Sequence, residues 1–89
     1  MGQDLVVDCQ SHLLSGLNTR AVVPLIPLER APTRAGRFNP VFTIDGQDLV
    51  MTTQFIGSVE RNQLGKIIVS LADHSYEITG AIDVLTGGV

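Results

Sequence analysis

Residues 71–89 read LADHSYEITGAIDVLTGGV. They carry the clearest helical period in the chain. Ile78, Ala81, Ile82 and Leu85 stand at i, i+3, i+4 and i+7, one face of an α-helix. Asp73 is placed to cap the first turn, and Gly87 with Gly88 ends the helix. The spacing therefore predicts a helix over residues 73–85, with Ile78, Ile82 and Leu85 in the core. Everything upstream reads as short strands and turns. The expected fold class is α+β, mainly β: one C-terminal helix packed on a mostly antiparallel sheet.

Upstream, residues 5–10 alternate, with Leu5, Val7 and Cys9 on one face. This predicts a strand, followed by a loop over 11–18. Residues 19–25 are rich in β-branched side chains and predict a second strand. Pro24 lacks the N–H of a ladder, so it marks an edge, a bulge or the strand's end. Pro27 and Pro32 open a long irregular connection that lasts to Asn39-Pro40, the kind of loop that often carries function. Residues 41–55 form the clearest hairpin, turning at Asp45-Gly46. A two-residue turn pairs Phe42 with Leu49 and Ile44 with Gln47. A four-residue loop pairs Ile44 with Leu49 and Phe42 with Met51. Either way Phe42, Ile44, Leu49 and Met51 share one face. The ladder is expected to run on to Phe55 and to break at Gly57-Ser58. Residues 61–64 read as a short strand ending at Gly65, and Ile67-Ile68-Val69 fits either a strand or a packed turn.

Eighty-nine residues, 44% of them hydrophobic, bound one small domain, residues 1–89. A domain this size buries only about 60–65% of its unfolded surface, so self-association would add stability. The net charge is −3 and the pI about 5.0, which argues against a nucleic-acid face. Arg30, Arg34 and Arg37 nevertheless fall close together, and a solvated loop explains them most simply. A single cysteine, Cys9, excludes an internal disulfide. The start of the chain lacks the features of a secretory signal, and no apolar run is long enough to span a membrane. The expected location is the cytoplasm.

Catalytic chemistry finds little support. Cys9 on an apolar strand face reads as a small core residue. Its alternation gives no reason for His12 to meet it. His12 and His74 have no companion cysteine at metal-ligand spacing, so no metal is expected. Asp8 and Arg20 sit on strands that could be neighbours, which fits an ion pair or, as the alternative, an acid–base pair acting on RNA. No phosphate-cradling glycine loop stands out, and no cofactor is expected.

Six short motifs in order carry a resemblance. Val7-Asp8-Cys9-Gln10-Ser11 and Arg20-Ala21-Val22-Val23-Pro24-Leu25 resemble the V-D-V-Q-S and R-x-V-I-P-L strands of the CcdB toxins. Asn39-Pro40-Val41, Met51-Thr52-Thr53-Gln54, Ser70-Leu71-Ala72 and the helix residues Glu77, Ile78, Ala81, Ile82 and Asp83 continue it. The resemblance implies an SH3-like barrel or antiparallel sheet with a C-terminal helix, assembled as a homodimer. It implies the toxin of a type II toxin–antitoxin system, acting on the A subunit of DNA gyrase and trapping the enzyme on cleaved DNA. A CcdA-like antitoxin would neutralise it, and the complex would repress its own operon, touching operator DNA only through the antitoxin. Such a toxin is an inhibitor and not an enzyme, and has no membrane partner. An inactive member that keeps antitoxin binding, or an endoribonuclease toxin of related fold, is the alternative.

Two departures bear on the site. The chain lacks the family's first strand, which is expected to leave a sheet edge unpaired. Well-known members end in Trp-Gly-Ile, whereas this chain ends Gly87-Gly88-Val89. The resemblance makes Gly87, Gly88 and Val89 the expected gyrase-binding residues, with glycine where the family has an aromatic anchor.

Overall fold

A computed structural model describes residues 5–9, 16–31, 34–63 and 74–87. Among the described residues five strands form one antiparallel sheet: β1 (Leu5–Asp8), β2 (Thr19–Pro27), β3 (Val41–Ile44), β4 (Gln47–Met51) and β5 (Gly57–Glu60). One helix follows, α1 (Ser75–Leu85). The strand order is β1-β2-β4-β3, and β5 also pairs with β2. This curled, mainly β sheet with one C-terminal helix matches the architecture expected from sequence.

β2 is the centre. β1 lies along one side, from Leu5 opposite Leu25 to Asp8 opposite Val22. The other side is shared. β4 pairs with Leu25–Pro27 and β5 with Thr19–Val22. Pro24 sits at the change of partner. Its carbonyl accepts both the amide and the hydroxyl of Thr52, each at 2.9 Å. In an extended strand a residue's N–H and C=O point the same way, so the donor Pro24 lacks would have faced this gap. The strand therefore passes through Pro24 and on to Pro27, beyond the end at 25 that the sequence suggested.

The hairpin takes the two-residue turn. Phe42 faces Leu49 and Ile44 faces Gln47. Asp45 and Gly46 have φ of 52° and 78°, the two left-handed residues of a type I′ turn. Three other expectations are corrected. β4 stops at Met51, and Thr53–Phe55 forms a 3₁₀ turn in place of more ladder. Gly57 and Ser58 open β5 where a break was expected. Arg61–Gln63 is a 3₁₀ turn and not a strand. The first two share one cause. The turn at Thr53–Phe55 carries the chain from β4 to the free length of β2, so pairing resumes at Gly57. β5 has run out of β2 by Glu60, which lies opposite Thr19, so residues 61–63 turn instead of extending. Leu64, Gly65, Ile67, Ile68 and Val69 lie outside the described residues, as does Asp73.

The core joins Val7, Val23, Leu25, Phe42, Ile44, Leu49 and Met51 of the sheet to Ala81 of α1. Ile78 and Ile82 pack against it at its margin. The expected helix face is thus correct in direction but not in depth. Ala81 is fully buried, whereas Leu85 is 38% exposed. The helix touches the 3₁₀ turns Gly36–Phe38 and Thr53–Phe55, and a small residue stands at its most buried point. Its last turn lies outside the apolar contact.

This arrangement predicts an inversion of the usual order of core substitutions. Ala81→Leu inserts volume where none is free and should cost about 1–3 kcal/mol. Ile82→Ala at a partly exposed site should cost less than about 2 kcal/mol. Urea unfolding of both variants checks this, and a larger loss for Ile82→Ala would place the helix differently.

Candidate functional site

The candidate site is the end of α1 and the surface that seats it. His74 precedes the helix and sets its ring edge-on to Phe42, with centroids 5.0 Å apart. Its Nδ1 lies 3.5 Å from a carboxylate oxygen of Glu77, one turn on. Further along, the Arg37 guanidinium lies on the helix at Gly80 and donates to the Gly80 carbonyl at 3.5 Å. A Cβ at Gly80 would come within 3.2 Å of that guanidinium, so the glycine provides the seat. Ala81 then enters the core.

The turn that presents Arg37 is itself fixed by a buried amide. Asn39 is 2% exposed. Its Oδ1 accepts the Ala35 amide at 3.0 Å. Its Nδ2 donates to the Met51 carbonyl at 3.1 Å and to Gln54 Oε1 at 2.9 Å. Arg34 Nε donates to the Asn39 carbonyl at 3.2 Å, and the Thr53 hydroxyl donates to the Phe38 carbonyl at 2.5 Å. The motifs at 39–41 and 51–54, separate in sequence, are two halves of one hydrogen-bonded knot. Asn39, Thr53 and Gly80 were not singled out as site residues by sequence reasoning. Asn39 and Thr53 lie in motifs that carry the resemblance, and the Asn-Pro step was a further local signal for Asn39; Gly80 had none.

At the far end, Thr86 and Gly87 close the helix. Gly87 has φ of 77°, and its amide donates to the Val84 carbonyl at 3.2 Å. It is exposed. This is the left-handed residue that commonly follows a helix. Gly87 is thus a helix stop. Gly88 and Val89 lie outside the described residues. Val84 and Leu85, each 38% exposed, extend an apolar surface up to the stop.

The other candidates are structural. Asp8 and Arg20 meet across β1 and β2 in a two-pronged pair, Nε to Oδ2 at 2.9 Å and Nη2 to Oδ1 at 3.0 Å. A guanidinium held this way is committed to its carboxylate. The Cys9 thiol donates to the Ala21 carbonyl at 3.4 Å. Burial raises its pKa, the charge of Asp8 adds to the rise, and a backbone hydrogen bond opposes it. Cys9 is therefore held as the neutral thiol, a poor nucleophile. His12 lies outside the described residues. Among the described residues no three His, Cys, Asp or Glu side chains gather as a metal site, and no helix is long and apolar enough to cross a membrane. Arg30, Arg34 and Arg37 are all exposed, but Arg34 and Arg37 are each bonded to a backbone carbonyl and so are not simply a solvated loop.

Comparison with known proteins agrees with this architecture. No individual curated protein matches the chain. The family model described as CcdB protein matches residues 2–88, nearly the whole length. With the curled sheet, the single helix and the paired motifs already in place, the chain belongs to the CcdB family, a family of toxin–antitoxin toxins.

Proposed function

We propose that this chain is the toxin of a type II toxin–antitoxin system that binds the A subunit of DNA gyrase and traps the enzyme on cleaved DNA. The family match over residues 2–88 carries this reading. In it, residues 1–89 are a single CcdB-like toxin domain that works by occupying its target. The Asp8–Arg20 and Cys9 contacts support that view, since both are engaged in holding β1 to β2. A CcdA-like antitoxin removes the toxin from gyrase, and the toxin–antitoxin complex represses its operon through the antitoxin's contact with operator DNA. Gyrase places the action in the cytoplasm.

The contact with gyrase is assigned to Gly87, Gly88 and Val89. Three observations support a working tail. The helix that carries it is seated by Ala81, by Arg37 on Gly80 and by His74 on Phe42. Its last turn leaves Val84 and Leu85 open to a partner. Gly87 ends the helix with a φ of 77°, a left-handed backbone that is strained for any larger side chain. An aromatic anchor at position 87 would therefore cost the helix its stop, and in this reading the binding energy comes from Val89 and the exposed last turn.

Removing only Gly88 and Val89 keeps the helix stop. The truncated protein should melt like the full chain and bind antitoxin equally. Its inhibition of gyrase supercoiling should weaken by a hot-spot loss of about 2 kcal/mol, near thirtyfold in concentration. Equal inhibition by both proteins would move the site to the turn bearing Arg34 and Arg37.

The homodimer belongs to the same proposal. Val6, Leu17, Leu28, Phe55, Val84 and Leu85 are large apolar side chains left exposed, area that self-association would remove from water. A two-fold contact covers one such patch with its own copy. Light scattering at micromolar concentration should give twice the chain mass; a monomer mass would exclude this arrangement.

A further inference from the structure

The end of α1 is closed by a side chain as well as by its backbone. The Thr86 amide donates to the Ile82 carbonyl at 3.0 Å, the last bond of α-helical spacing. In a continuing helix the next amide, that of Gly87, would meet Asp83. It turns instead to the Val84 carbonyl at 3.2 Å, with the left-handed φ of a glycine stop. The Asp83 carbonyl therefore loses the amide of residue 87. At a glycine stop of this kind that acceptor commonly takes the amide of the second residue past the cap, here position 88. The Thr86 hydroxyl reaches the same acceptor. It donates to the Asp83 carbonyl at 3.3 Å and shares its proton with the Ile82 carbonyl at 3.2 Å, a three-centre bond. Thr86 is exposed, so packing does not account for this placement.

We propose that Thr86 is a positioning residue for target binding: its hydroxyl closes the end of α1 without help from residues 88 and 89, and so leaves them to the target. This rests on the gyrase reading of the tail and adds a residue that reading does not use. The reason is a competition for one carbonyl. A tail whose amide closes the helix is not available to a partner, and apparent affinity falls in proportion to the molecules so engaged. Glycine at both 87 and 88 gives the backbone no side chain to oppose that closure. The Thr86 hydroxyl competes from within the last turn, where no further chain has to be ordered to bring it to Asp83.

Two substitutions separate the hydroxyl from the shape of the side chain. Thr86→Val keeps the shape and removes the donor; Thr86→Ser keeps the donor and removes the methyl. In full chains, Thr86→Val should inhibit gyrase supercoiling about fivefold more weakly, the worth of about one hydrogen bond, and melt close to the native chain. Thr86→Ser should restore inhibition to within about twofold of native. A contact made by the methyl would give the reverse order. A second arm needs no gyrase. Gly88 and Val89 are deleted from the native chain and from Thr86→Val, and amide exchange is read at Gly87. The deletion should leave exchange unchanged in the native background and speed it about fivefold in the valine background, where the tail has taken over the closure. Native-like inhibition by Thr86→Val, a serine variant weaker than the valine one, or the same effect of deletion in both backgrounds would each overturn the role of Thr86 while leaving the gyrase reading intact. Unchanged inhibition after deletion from the native chain would instead overturn the gyrase reading of the tail, and the positioning role with it.

Discussion

A buried amide side chain, Asn39, holds this fold at the point where its layers meet. The hairpin of β3 and β4 needs its open end closed, and the Met51 amide bonded to the Pro40 carbonyl does that from the backbone. Asn39 reaches further. It ties the turn before β3 to the last carbonyl of β4 and to the turn after it. Both of those turns touch α1. One side chain therefore sets the spacing between the sheet and the helix. Its burial would be costly if any of its polar atoms were unmet, and each finds a partner. A buried polar group so satisfied tolerates few alternative arrangements, which suits a helix whose end is proposed to meet a target.

The same constraint links the fold to function. Small apolar contact alone would let α1 rock, since only Ala81 is fully buried along it. The seat of Arg37 on Gly80 and the ring of His74 on Phe42 add contacts at separate points of the helix. Together they define where residue 87 leaves the surface. Family membership then supplies the toxin role, while the geometry shows how α1 is held against the sheet.

Much of this was legible in the sequence. Asp45-Gly46 marked its turn because both residues tolerate left-handed backbone, although the choice between a two-residue and a four-residue loop came only with the structure. The period of Ile78, Ala81 and Ile82 pointed the helix the right way. What escaped depends on distant partners. Pro24 looked like a strand end because nothing local says that β4 and β5 change places beside it. Gly57 and Ser58 looked like a break because their pairing is with β2, more than thirty residues earlier. Leu85 fits the apolar period, yet a period gives direction and not the extent of the core. Asn39 is polar and sits between loop residues, so its burial follows only from partners twelve and fifteen residues onward.

Native-state hydrogen exchange of Asn39→Ala measures the central claim most directly. The amides of Gly80, Ala81 and Ile82 report the seating of α1, and those of Val7 and Val23 report the β1–β2 ladder. If Asn39 couples the turns to the helix, the variant loses protection in α1 while β1 and β2 keep theirs. Unchanged protection at Gly80, Ala81 and Ile82, with losses confined to the hairpin, would contradict the account.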